Sequence, residues 1–116
     1  MKRALIILND PPYGTERSFN GLRMAKALQK QAEDGVDVFL MADSVGCARA
    51  GQKIPQGYYN LELMLRAVLR KGRVLLCGTC MDARGLRDED LVEGAERSTM
   101  DELGELTAAA DKVLIF

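Results

Sequence analysis

Apolar residues along this chain fall into short continuous runs that alternate with stripes at helical spacing. Residues 4–8, ALIIL, form a nearly unbroken run, the pattern of a strand buried on both faces. Across residues 15–33, Phe19, Leu22, Ala25, Leu28 and Ala32 recur at intervals of three or four, which predicts an amphipathic helix capped by Thr15 and stopped by Gly35. Residues 36–42, VDVFLMA, read as a second strand. Leu61, Met64, Leu65, Val68 and Leu69 mark a second helix, with Arg70 and Lys71 against its carboxyl-terminal dipole and Gly72 ending it. Residues 73–77, RVLLC, give a third strand, and after a short polar segment Leu91 and Val92 suggest a brief fourth. Thr99 and Glu102 fit a capping box opening a helix whose buried face is Met100, Leu103, Leu106 and Ala110. Residues 113–116, VLIF, are the last strand.

Short strands alternating with helices pair in parallel through crossovers. The expected architecture is therefore α/β, a three-layer α/β/α domain over residues 1–116 with a five-stranded, mostly parallel sheet. In open parallel sheets, ligands sit beyond the carboxyl ends of the strands. Those ends are residues 9–16, 43–52, 77–85 and 94–98, and they carry the glycine-rich polar stretches and all three cysteines. Asn9, Tyr13, Glu16, Asp43, Cys47 and Arg84 are the candidate pocket residues on this edge, beside Cys77 and Cys80. Some of them have a plainer explanation. Pro11, Pro12 and Gly14 suit a turn, and Asp43 is a common loop-starting residue.

Composition narrows the chemistry. With 116 residues and a net charge of −1, the chain carries no basic stripe interleaved with aromatics, so neither nucleic acid nor an anionic membrane is an expected partner. No apolar run approaches the roughly 20 residues that cross a bilayer. The start, MKRALIIL, is too short in its apolar part for a secretory signal, which leaves the cytoplasm as the expected compartment and reduced thiols as the expected state. Three cysteines make no disulfide framework, and with no histidine they do not complete a four-ligand zinc site within one chain. No cofactor is expected either, since the chain has no phosphate-binding glycine–lysine loop and no dinucleotide fingerprint.

That leaves the pair Cys77-x-x-Cys80. A thioredoxin-like disulfide exchanger has this spacing, yet it needs a mixed sheet and a cis-proline opposite, and none of the three prolines is placed for that. A persulfide carrier needs an accessible thiolate at a strand end, a nearby cation such as Arg84, and amides to hold the terminal sulfur; Asp82 works against it. Cys77, last in an apolar run, also fits a buried small residue without chemistry.

The motifs CGTCMDARG and LVEGAERSTMDEL, with NDPPYGTERSFNGLRMA after the first strand and FLMADSVGCARAGQ after the second, resemble the DsrE/DsrF/TusD-like family, in particular its YchN-like branch. The resemblance runs essentially from end to end. It implies a five-stranded parallel α/β/α domain that assembles into homo- or hetero-oligomers, commonly trimers or hexamers, and cysteine persulfide relay in sulfur oxidation or tRNA thiolation. In relay members, six residues intervene between the active cysteine and an Arg-Gly pair. The pair Arg84-Gly85 then points to Cys77 as the sulfur acceptor, while Cys80 is an addition typical of the YchN-like branch. Cys47 has no counterpart in the relay motif. The expected function is sulfur handling through Cys77, with sulfur donor and acceptor proteins as partners. A non-catalytic oligomeric binding or regulatory module and a Cys77–Cys80 dithiol reductase stay open beside it.

Overall fold

The computed structural model describes residues 1–116. In chain order the elements are β1 (Arg3–Leu8), α1 (Arg17–Leu28), β2 (Gly35–Leu40), α2 (Leu61–Val68), β3 (Val74–Cys77), α3 (Gly78–Ala83), β4 (Glu96–Ser98), α4 (Met100–Ala109) and β5 (Lys112–Ile115). Two 3-10 segments, Ala42–Ala48 and Asp88–Asp90, lie in the connections. The strands form one sheet in the order β4-β3-β2-β1-β5, and every pairing is parallel.

Alternation along each strand divides the core in two. Ala4, Ile6 and Leu8, with Val36, Val38, Leu40, Val74 and Leu76, face α1 and α2, and together with Leu22, Ala25, Leu61 and Leu65 they make the larger cluster. Leu5, Phe39 and Leu75 face the other way and meet only Leu103 of α4 among buried residues. β2 is central and buried along its whole length, so it reads as an unbroken apolar run except for Asp37. That carboxylate is held by Arg3 Nη1 at 2.8 Å and by the Arg73 backbone N–H at 3.0 Å.

Several expected boundaries move, each for a local reason. α1 begins at Arg17, because the Thr15 hydroxyl donates to Asp10 at 3.0 Å and Glu16 takes the cap position without a side-chain bond. The helix ends at Leu28 and not near residue 33, and Gly35 (φ +100°) opens β2 instead of closing α1. α2 ends at Val68, and Lys71 reaches across to the carbonyls of Gln29 and Ala32, at 2.9 and 2.8 Å, instead of serving its own helix. β2 stops at Leu40, since Ala42 turns into the left-handed region at φ +49°.

The fourth strand is Glu96–Ser98, not Leu91 and Val92. Those two residues instead cover the loop after β2, where Leu91 bridges Arg49 in antiparallel sense and the Val92 N–H donates to Ala48 at 2.8 Å. β4 is an edge strand rich in charge, which keeps a sheet edge from pairing with other chains and also hides it from a search for apolar runs. At α4, Thr99 accepts from the Glu102 N–H at 3.1 Å, but the Glu102 carboxylate turns to Ser98 and to Arg73 (3.2 Å), so only half of the expected capping box forms.

Candidate functional site

Cys77 is both the last residue of β3 and the cap of α3, and its Sγ accepts the Cys80 backbone N–H at 3.2 Å. One turn on, the Cys80 Sγ accepts the backbone N–H of Ala42 at 3.3 Å. Ala42 is the sole non-glycine residue with positive φ, so a strained backbone position aims this donor at a sulfur. Gly78 lets α3 lie against β4, where an added Cβ would meet Arg97 Nη1 at 3.0 Å and the Ser98 carbonyl at 3.1 Å.

The two sulfurs share an open cleft of about 680 Å³ whose walls include Met41, Asp82, Arg97, Thr99 and Met100. Parallel register brings Ser98 of β4 directly beside Cys77. Arg97 spans the mouth, donating to Asp88 at 3.0 Å, Asp82 at 2.9 Å and the Gly78 carbonyl at 3.2 Å. Arg84 donates to Asp43 at 2.9 Å and to the Cys80 carbonyl at 3.1 Å. Its charge is thus committed to a carboxylate and not aimed at either sulfur.

The sequence-derived candidates therefore divide. Cys77, Cys80, Asp43 and Arg84 come together at the end of β3. Tyr13 belongs to a second hollow with Ile54, Pro55, Tyr58 and Tyr59. Its hydroxyl donates to Gln52 and accepts from the Leu61 N–H at 3.1 Å, fastening the loop that precedes α2. Cys47 is fully buried, and burial pushes its thiol up to about 12. Asn9 donates to the Phe116 carbonyl at 3.1 Å and pins the end of the chain beside β1. Glu16 is exposed at the start of α1. Met100, expected on the buried face of α4, is instead 64% exposed at the start of that helix and lines the cleft. Arg97 and Met41 escaped sequence reading because their approach depends on the pairing of β4 and β2 with β3, which apolar patterning does not reveal. No three Cys, Asp or Glu side chains converge closely enough to hold a metal ion.

Burial pushes the Cys77 thiol above its ordinary range, and its hydrogen bond with Cys80 adds to this, while the Cys80 and Thr79 amides pull the other way. The thiolate is the nucleophile, so Cys77 gains reactivity as pH rises. Iodoacetamide labelling of Cys77 is expected to accelerate through and beyond about pH 8.5, the ordinary thiol midpoint. Peptide mapping after timed labelling measures this, with Cys47 expected to stay unlabelled in the native protein. A Cys77 rate already at its plateau near neutral pH would contradict it.

An all-parallel sheet that ends one strand in a cysteine, with a second cysteine one helical turn later, places the molecule among α/β proteins with thiols at the carboxyl edge. Residues 2–116 match the model of the DsrE/DsrF-like family, and the chain belongs to that family. It is 43% identical over 119 residues to Protein YchN of Escherichia coli K12, covering 100% of both chains. It is 38% identical over 112 residues to an uncharacterised protein of Methanocaldococcus jannaschii, covering 96% of each. The crystal structure of the E. coli YchN protein superposes with a TM-score of 0.92 at 42% identity over the full length of both chains. A protein of unknown function from Methanobacterium thermoautotrophicum shares the fold, with a TM-score of 0.78 at 13% identity, covering 98% of this chain and 99% of that one.

Proposed function

We propose that this chain handles sulfane sulfur, with Cys77 accepting it from a persulfide donor. The observation that carries the reading is a pair of sulfurs on one open cleft, each accepting a backbone N–H. A backbone donor favours a charged sulfur without adding a titratable group. Family membership supports the reading, and counting back from Arg84-Gly85 leads to Cys77 as the position that resembles the relay acceptor.

Incubation of the reduced protein with a persulfide donor, followed by quenching and peptide mass analysis, tests it. Sulfur is expected to add at Cys77, or to leave as sulfide in a Cys77-dependent reaction. A Cys77→Ser protein that takes up or releases as much sulfur as the native one would defeat the reading.

The protein is further proposed to act as a homo-oligomer, a trimer or hexamer, meeting a donor and an acceptor protein at the cleft. Val113 and Ile115 of the edge strand support self-association, being 38% and 69% exposed on the sheet face that α4 leaves bare. The raised Cys77 thiol favours a second reading, a binding module whose cysteines do no chemistry. Native thiols that resist alkylation even at high pH would select it.

A further inference from the structure

We infer that a persulfide formed on Cys77 is discharged within the cleft, Cys80 expelling the sulfur as sulfide, so that the protein reduces small persulfides and does not store their sulfur. The inference rests on Cys77 as acceptor and concerns the fate of the sulfur once bound.

Proximity is the first argument. The Cys77 Sγ accepts the Cys80 backbone N–H at 3.2 Å, and both cysteines line the same cleft. A tethered, oriented nucleophile acts at an effective concentration of millimolar or far above, whereas an acceptor protein at about micromolar must first diffuse and dock. Electrostatics is the second. A persulfide that waits for an acceptor is a charged terminal sulfur, and the cleft offers it no uncommitted cation. Arg97 is occupied by Asp82 and Asp88, and Arg84 by Asp43. Two carboxylates, Asp82 and Asp88, against the single Arg97 leave this mouth of the cleft net negative, which favours the departure of an anion. The third is the strained Ala42 N–H, which holds the Cys80 sulfur at 3.3 Å and fixes its place in the cleft.

The chemistry balances with the two thiols as reductant. The Cys77 thiolate attacks the outer sulfur of a small persulfide, the donor's S–S bond breaks, and the donor leaves as a thiol carrying the Cys77 proton. The Cys80 thiolate then attacks the Cys77 sulfur, a Cys77–Cys80 disulfide forms, and hydrosulfide leaves with the electron pair of the broken bond. The proton of Cys80 goes to solvent. Two thiols are oxidised to one disulfide while one sulfane sulfur is reduced to sulfide. An external dithiol must reduce the disulfide before another cycle.

The test mixes thiol-free, anaerobic, fully reduced protein with one equivalent of glutathione persulfide and follows sulfide release and intact mass. The native protein is expected to release about one sulfide per chain and to lose the mass of two hydrogens. Cys80→Ser and Cys80→Ala are each expected to keep one extra sulfur on Cys77 and to release sulfide at least tenfold more slowly. Native protein that accumulates sulfur on Cys77 without forming a disulfide overturns the inference and leaves the acceptor reading standing. If neither native protein nor variants react, the acceptor reading falls and the inference with it. Undiminished sulfide release from both Cys80 variants also overturns it.

Discussion

Gly35→Ala is expected to destabilise the protein by about 3–5 kcal/mol, and Gly72→Ala by a similar amount, as a lowered midpoint of urea unfolding. The two glycines pack backbone against backbone where β2 and β3 begin. A Cβ on Gly35 would lie 1.8 Å from the Lys71 carbonyl oxygen, and one on Gly72 would lie 1.8 Å from that of Val36. Neither obstacle is a flexible side-chain end, so relief requires moving two neighbouring strands, which also share the Val38 N–H to Arg73 carbonyl bond of 2.9 Å. Gly35 adds a second term, since φ +100° is a region that side-chain-bearing residues avoid. Gly104 provides the contrast. It sits in α4 with nothing within 4 Å of an added Cβ, so Gly104→Ala is expected to be neutral or to gain up to about 1 kcal/mol. Equal effects at positions 35 and 104 would refute the packing argument.

Arg3→Met is expected to cost about 2–4 kcal/mol at neutral pH, measured the same way. The Asp37 side chain is 2% exposed and Arg3 is its ionic partner at 2.8 Å. Removing the cation leaves a buried carboxylate with the Arg73 N–H as its remaining donor. The estimate lies toward the low end for a broken buried pair because Arg3 is itself 35% exposed, so solvent already screens the interaction. Adding Asp37→Asn to the Arg3→Met protein removes the orphaned charge and is expected to recover much of the loss. If the double variant is no more stable than Arg3→Met, then lost packing of the Arg3 stem, and not its charge, sets the cost.

Periodicity carried most of the fold. β1, β2 and β3 are written as apolar runs because both their faces are buried, and α1 and α2 as stripes because one face is. β4 broke this correspondence. Its sequence ERS has no apolar residue, and what makes it a strand is its register beside β3, a long-range fact. The cleft was half legible for the same reason. Cys77 and Cys80 are local in sequence and were found, whereas Arg97 and Met41 reach the cleft through strand order. Cys47 shows a different gap. Its place in a polar, glycine-bearing loop made it a candidate pocket residue, yet the 3-10 segment turns it into the main core. Asp37 shows the reverse, a charge within an apolar run that is fully buried because its partners arrive from the starts of two other strands.

Ala42 sets thermal robustness and site geometry against each other. A non-glycine residue in the left-handed region gives up about 1–2 kcal/mol that glycine would not. A search for hardier variants would therefore meet Ala42→Gly early. The same exchange would free the peptide that holds its N–H on the Cys80 sulfur, widening the range of orientations from which that donor must be recovered. Selection for stability alone would thus erode the site before it disturbed the fold, and the methyl group at position 42 is where that conflict is lodged.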